Sequence, residues 1–99
     1  MHFLVISSPL PSQPSTMRQQ QKAFWDWLKP LEENGTAKHV YAKIGRGAVI
    51  VFEVDSHETM HKLVNQWTEF VPASFEVVPL IPKSHQEQIA RAGTPPGAL

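Results

Sequence analysis

Residues 48–54 are almost continuously apolar, and this run constrains the fold more than any other segment of the chain. Such a run is typical of a central strand that is covered on both faces of its sheet. Gly45-Arg46-Gly47 stands directly before it and predicts a tight turn. Residues 36–44 should therefore pair with the run as a hairpin, and further elements are needed to cover the sheet.

A first helix is predicted between residues 15 and 33. Ser15 can cap its start, and Asn34-Gly35 is a stop signal. Pro30 should kink or end the helix, because its ring clashes with the preceding turn. The apolar residues recur at the spacing of one helical face, which indicates that this face covers the sheet; they are Met17, Phe24, Leu28 and Leu31.

A second helix and two outer strands complete the pattern. Asp55 and Glu58 form a predicted capping box, and Pro72 breaks the helix that follows. Residues 2–8 and 74–80 have the composition of strands, and Pro79 marks the latter as an edge or an ending. The second helix carries its own apolar stripe of Met60, Leu63, Val64 and Trp67.

The order of these elements is β-α-β-β-α-β, the split βαβ pattern of the ferredoxin-like α+β fold. It predicts a four-stranded antiparallel sheet over residues 1–81, with both helices on one face. The other face also carries apolar residues, so a second copy of the sheet is its expected cover. Residues 82–99 form a separate tail. A short helix with a Ser84–Glu87 capping box and a stop at Gly93 could dock there on a partner subunit, and Thr94–Leu99 should be mobile.

The composition excludes several classes of protein. The 99 residues suffice for one domain, and the absence of cysteine excludes disulfides and thiolate chemistry. Nine basic residues balance nine acidic ones without a basic stripe, so a nucleic-acid partner is not expected. The apolar start at residues 3–6 is too short for a signal or a membrane span. A cytoplasmic protein without a membrane partner is the expectation.

Residues 57–61 read His-Glu-Thr-Met-His, the string that supplies two zinc ligands and a general base in some peptidases. Here the string opens a helix, and Glu58 is already explained as a capping residue. No third ligand stands at a suitable spacing. We therefore predict a capped amphipathic helix and no metal site.

A second candidate site lies in the predicted hairpin. With a three-residue turn, Ile44 faces Ala48, and counting back places His39 opposite Glu53 on one sheet face. A carboxylate beside an imidazole orients it and raises its basicity, which suits a general base. Tyr41 would point to the same side and could donate a hydrogen bond. We predict these three residues as catalytic, although an ordinary cross-strand pair and a two-residue turn with another register stay open.

Three tryptophans form a third candidate group. Trp25, Trp27 and Trp67 lie on the helices that cover the sheet, where aromatic residues belong to the core or to a pocket wall. We predict that Trp25 and Trp67 bind the substrate. Arg18 and Arg46 are the candidate anchors for a substrate carboxylate, with Arg18 preferred, and solvent exposure is the alternative for both.

From Gly35 to about residue 80 the chain resembles the muconolactone delta-isomerases. The matching residues are Gly35-Thr36, His39-Val40-Tyr41, Phe52 to Glu58, His61, Leu63, Pro72 and Glu76-Val77. The resemblance implies a ferredoxin-like subunit, a dimeric α+β barrel and often a larger ring of dimers. It also implies an isomerase without a cofactor that shifts a proton on an unsaturated lactone. The turn at Arg46, the loop 9–15 and Pro30 depart from the family pattern.

Three functions follow as hypotheses. The first is a cofactor-free isomerase acting on a small lactone or oxygenated organic acid, with His39 as base, Glu53 orienting it and Tyr41 stabilising the enolate. The second is a cofactor-independent monooxygenase or cyclase, in which the tryptophans would matter more. The third is a non-catalytic binding or assembly module, which predicts that no enclosed pocket exists.

Overall fold

The computed structural model describes residues 1–92. Its strands form one antiparallel sheet in the order β2-β3-β1-β4. Both long helices lie on one face, so the predicted ferredoxin-like fold and its β-α-β-β-α-β order are confirmed. The elements are β1 (His2–Pro9), α1 (Pro14–Glu33), β2 (Ala37–Ala42), β3 (Ala48–Glu53), α2 (His57–Phe70), β4 (Ala73–Leu80) and α3 (Lys83–Arg91).

Helix α1 begins two residues earlier than the predicted cap at Ser15 implies. Gln13 is the N-cap, and Pro14 occupies the first turn, where a missing N–H costs nothing; the predicted cap at Ser15 is wrong. Pro30 lies inside the helix and does not end it, because packing of the apolar face outweighs the loss of one hydrogen bond near the C-terminus. The helix ends at Glu33, directly before the predicted stop signal Asn34-Gly35, and the φ of 83° at Gly35 favours glycine.

Helix α2 is capped by Ser56, whose Oγ accepts a hydrogen bond from the Thr59 N–H at 3.1 Å. The predicted capping box of Asp55 and Glu58 is wrong by one residue, since Ser56 takes the cap position and leaves Glu58 out of the box. Asp55 instead accepts a 2.6 Å bond from the Thr59 hydroxyl. That hydrogen bond is the main reason why the pKa of Asp55 lies below its usual value.

The core lies between the helices and one face of the sheet. Strand β1 buries Phe3 and Val5 there, and β3 buries Ala48, Ile50 and Phe52. This alternation shows that only every second residue of the apolar run reaches the core. The helices contribute Phe24, Leu28, Met60, Leu63 and Trp67.

The β2–β3 hairpin differs from the prediction. Its connection spans five residues, 43–47, and Ala42 pairs with Ala48. Two glycines with positive φ shape this longer loop, which the Lys43 N–H closes with a 2.9 Å bond to the Gly47 carbonyl. Lower in the hairpin the register shifts between Ala37 and His39, so Lys38 occupies a β-bulge.

The opposite face of the sheet, which we call the open face, carries no helix. Half-buried aliphatic side chains lie at its centre, and polar residues surround them. Alternation along the strands assigns both sets to this face. The aliphatic residues are Leu4, Ile6, Val49, Val51 and Val78, and the polar ones are His2, His39, Tyr41, Glu53 and Glu76.

Helix α3 follows β4, and it has no buried residue. Its N-cap is Pro82, so the predicted cap at Ser84 is wrong, and Glu87 pairs with Lys83 at 3.0 Å. The predicted stop at Gly93 and the segment Thr94–Leu99 lie outside the described residues. No helix within residues 1–92 is long and apolar enough to cross a membrane.

Candidate functional site

A cavity of about 150 Å³ opens on the helix-covered side of the sheet, at the end where the β2–β3 connection lies. Helix α1 forms one wall, and the C-terminal half of α2 contributes the floor. The connection 43–47 forms the rim opposite α1. The cavity therefore lies between the two helices and the hairpin end of the sheet.

Aromatic side chains form the apolar wall of this cavity. The Trp67 ring is 2% exposed and stacks on Phe24 with ring centroids 4.9 Å apart. Trp25 meets Phe24 edge-on at 4.8 Å and is 40% exposed, so it stands at the mouth. Met17 and Val71 complete the wall. Flat surfaces of this kind suit a small planar ligand.

Two cationic side chains, Lys43 and Arg46, line the rim. Lys43 Nζ donates to the Ser7 carbonyl at 2.9 Å and lies 3.2 Å from Ser8 Oγ. Arg46 Nη1 donates to the Leu10 carbonyl at 2.9 Å. Within residues 1–92 neither cation has a carboxylate within 4 Å, because every ion pair involves other residues.

The rim is fixed to β1 by close packing. The hydroxyl of the buried Ser7 accepts a 2.9 Å bond from the Ala48 N–H and donates to the Ala48 carbonyl at 3.3 Å. It thus replaces a strand–strand pair at the end of the β1–β3 ladder. A Cβ on Gly47 would lie 2.4 Å from the Ser7 carbonyl oxygen, so only glycine fits there. These contacts hold Lys43 and Arg46 over the cavity.

The three predicted catalytic residues lie on the open face and do not line this cavity. The predicted pairing of His39 with Glu53 is wrong: His39 faces Val51 and Tyr41 faces Val49, because the longer connection shifts the register by two residues. A shift of two keeps all three on one face. Within the described residues, the side chains of His39 and Tyr41 make no hydrogen bond or ion pair, and Tyr41 is 65% exposed.

Glu53 has other partners on this face. Its carboxylate lies 3.2 Å from Lys38 Nζ and 3.7 Å from His2 Nε2. The hydrogen bond and the charge of Lys38 lower the pKa of Glu53 from its usual value. The bulge at Lys38 brings this ammonium group to the carboxylate, so Glu53 is engaged in a surface ion pair.

Only some of the predicted substrate-binding residues lie at the cavity. Trp25 and Trp67 both line the cavity, whereas Arg18 is exposed on α1 and is not part of the lining. Arg46, the alternative anchor, is part of it. Trp27 lies against the core instead, and its Nε1 donates to Gln66 Oε1 at 3.1 Å. The binding roles themselves stay predictions.

A second cleft lies between α2 and the strands β1 and β4. His57, at the first position of α2, packs edge-on against Phe3 with ring centroids 5.6 Å apart, and His61 lies one turn on. In the part of the chain that the structure describes, no three His, Cys, Asp or Glu side chains gather as a metal site requires. The string His57–His61 therefore supplies two imidazoles beside an open apolar cleft.

Sequence reasoning missed Lys43 and Ser7. Ser7 gave no signal, because a serine near the end of a strand is ordinary. Lys43 belongs to a pattern that is visible in the sequence: residues 34–52 contain three basic side chains and no acidic one. Such a segment leaves its cations without local partners, and two of the three reach the cavity.

These observations define a class: a ferredoxin-like α+β domain with a small aromatic cavity that carries two unpaired cations. The chain belongs to the family described as "Domain of unknown function (DUF3303)", whose model matches residues 1–93. A search of curated proteins finds no match.

Solved structures that share the fold include the following two. Muconolactone isomerase, in a crystal structure at 3.3 Å resolution, is 25% identical over 83% of this chain and 90% of its own, with a TM-score of 0.69. The 5-chloro-2-hydroxyhydroquinone dehydrochlorinase TftG of Burkholderia phenoliruptrix AC1100, in complex with 2,5-dihydroxybenzoquinone, has a TM-score of 0.71. It is 17% identical over 86% of this chain and 98% of its own, so its likeness concerns the fold alone.

Proposed function

We propose that this protein is a cofactor-free isomerase that binds a small unsaturated lactone or oxygenated organic acid in the cavity and moves a proton on it. The observation that carries the proposal is the cavity itself, with Trp67 as its floor and Lys43 and Arg46 on its rim. The likeness to muconolactone isomerase supports the same reaction class. A shared fold alone does not fix a reaction, so the residues of this chain decide its chemistry.

The chemistry requires a proton to leave a carbon next to a carbonyl group. The electron pair of the broken C–H bond enters an enolate, whose negative charge two nearby cations stabilise. The Arg46 guanidinium acts through its charge, and Lys43 is the lining side chain whose amine can accept and return a proton. In its neutral form Lys43 takes the proton, and as the ammonium it returns the proton to the other end of the enolate.

The catalytic role of His39, Tyr41 and Glu53 stays a prediction, and these residues are arranged differently from the predicted register. Their side chains and the cavity lie on opposite faces of one sheet, so a substrate in the cavity is out of their reach. A catalytic role for them requires an active centre on the open face. The two assignments therefore make opposite predictions for His39→Ala.

Deuterium uptake tests the proposal without knowledge of the product. Muconolactone and related unsaturated lactones are incubated with the protein in D₂O, and exchange at carbon is followed by proton NMR. We expect exchange that Lys43→Met slows by about 100-fold or more, the usual worth of a positioned proton-transfer group, while His39→Ala keeps it. Circular dichroism checks that both variants fold.

The reverse pattern, in which His39→Ala abolishes exchange and Lys43→Met keeps it, would move the active centre to the open face. Absence of catalysed exchange in every lactone and unsaturated acid tried would contradict the proposed reaction.

We further propose that the chain works as a homodimer through the open face, in which a second sheet covers Leu4, Ile6, Val49, Val51 and Val78. In a single chain these aliphatic side chains are only half-buried. A contiguous apolar patch of this kind marks an association surface. Larger rings of dimers would use other surfaces.

A cofactor-independent monooxygenase or cyclase is the second candidate. The observation in its favour is that Trp25 and Trp67 line the cavity while the predicted His39–Glu53 pair does not form. Oxygen consumption with an electron-rich phenol as substrate separates it from an isomerase, whose reaction runs equally well without oxygen. A cavity lined by aromatic rings and two cations favours ligand binding over a purely structural module.

A further inference from the structure

Arg46 has an unusual hydrogen-bonding state. Its Nη1 donates to the Leu10 carbonyl at 2.9 Å, but its Nε is buried without any partner. A buried N–H of a charged group without a partner is costly, and native proteins rarely leave one. Within residues 1–92 it is the only buried side-chain nitrogen or oxygen in this state. A ligand that accepts a hydrogen bond from Nε would therefore stabilise this side chain.

The charge around the cavity indicates that the missing hydrogen-bond acceptor is an anion. Lys43 and Arg46 place two positive charges on its rim, and in the described chain no carboxylate lies within 4 Å of either. None of the side chains that line the cavity is acidic. An anion that enters the cavity would thus find two cations that no protein group neutralises.

The size and shape of the cavity limit this anion. A cavity of about 150 Å³ holds one benzene-sized ring. Phe24 and Trp25 offer ring surfaces on the α1 wall, so a flat ring can lie against them while its charged substituent reaches Arg46 on the rim. A phosphate would satisfy the charge but leave the aromatic wall uncovered.

We propose that the ligand of this cavity is a planar monocarboxylate, and that Arg46 anchors its carboxylate through a bidentate pair from Nε and Nη2. The proposal rests on the proposed function and names the substrate class for it. Because Nε is covered in the free chain, the guanidinium turns toward the cavity on binding. It then releases the Leu10 carbonyl, which lies on an exposed loop where water can replace the bond.

The test compares two probes of nearly the same shape, benzoate and neutral benzamide, by isothermal titration calorimetry. We expect the intact chain to bind benzoate at least about 10-fold more tightly than benzamide, because only benzoate forms a charged pair. Arg46→Met should weaken benzoate binding by about 10- to 100-fold and leave benzamide binding unchanged. Arg46→Lys keeps the charge without the planar fork and should fall between the two.

Lys22→Met, on the exposed surface of α1, removes one charge away from the cavity and serves as the matched control. Equal binding of the two probes, no benzoate binding at millimolar concentration, or full benzoate affinity in a folded Arg46→Met variant would each overturn the anchor.

These outcomes are separable from those of the proposed function. Catalysed deuterium exchange without benzoate binding would remove the anchor and keep the isomerase. Arg46-dependent benzoate binding without exchange in any lactone or acid would keep the anchor and remove the isomerase.

Discussion

Within residues 1–92, charged side chains are paired on one face of the sheet and unpaired on the other. On the open face, Glu53 lies beside Lys38 and His2, so cation and anion neutralise each other within the chain. On the helix-covered face, Lys43 and Arg46 bond only to backbone carbonyls and a serine hydroxyl. Paired charges on a surface add little to either stability or recognition. In the part of the chain that the structure describes, Lys43 and Arg46 have no acidic partner beside the aromatic cavity, so they can pair with an anion that comes from outside the chain.

The apolar groups differ as well. On the covered face the aromatic rings of Phe24, Trp67 and Phe75 pack against one another, and helices exclude water from them. On the open face the apolar residues are aliphatic and remain partly exposed in one chain. This contrast supports the two proposals that a ligand binds at the covered face and that subunits associate through the open face. Three predictions test whether the two faces have these separate functions.

The largest effect is expected from a charge at the centre of the open face. Val51→Lys would place an unpaired ammonium in the proposed dimer interface and weaken association by about 2–5 kcal/mol. Light scattering during size-exclusion chromatography should change from the mass of two chains to that of one. Gln19→Lys, which adds the same charge on exposed α1, should leave the dimer intact. A monomeric parent protein, or a dimeric Val51→Lys variant, would contradict the assignment of this face.

The second prediction concerns the rim of the cavity. Gly47→Ala should lower the free energy of unfolding by about 2–4 kcal/mol, because it adds a backbone clash to an unfavourable φ of 113°. Gly45→Ala meets no neighbour and carries the cost of its φ of 96° alone, about 1–2 kcal/mol. Urea unfolding measures both. Equal losses would mean that the contact with Ser7 does not hold the rim, and that Arg46 is positioned otherwise.

The smallest effect concerns pH and the open face. Since Lys38 lowers the pKa of Glu53 in the folded chain, this carboxylate contributes stability above its unfolded pKa near 4.5. That contribution is lost as the pH falls through the lower folded value. Lys38→Met should therefore lose less stability than the parent between about pH 6 and pH 3. Urea midpoints at the two pH values measure the difference, and an identical loss in both proteins would show that the pair contributes nothing.

The sequence predicts the order of the elements well because each carries its own local signal. The apolar run before Glu53, the spacing of Trp67 with Met60, and the glycine at position 35 act within a few residues. The caps are misplaced by one or two positions, since Ser56 and Asp55 are both competent and only the folded backbone selects one. Such choices depend on geometry that the sequence does not encode locally.

The site is harder to predict because it depends on register. Gly45 and Gly47 permit loops of several lengths, and in the folded chain Ala42 pairs with Ala48, which leaves a five-residue connection. The register therefore differs by two residues from the predicted one, and His39 faces Val51 instead of Glu53. The type and helical spacing of Trp67 predict a side chain that packs under the helix, in the core or in a pocket wall. The position of Arg46 at the rim depends on a long-range hydrogen bond to the Leu10 carbonyl, which no local pattern predicts.

The bulge at Lys38 has an evolutionary consequence. β2 is an edge strand, and the bulge absorbs one additional residue while His39 and Tyr41 keep their face and Ala37 keeps the other. An insertion or deletion of a single residue elsewhere in a strand exchanges its two faces. In this hairpin, chain length can therefore vary by one residue at position 38 without turning the strand over, and an alignment of family members should tolerate a gap there.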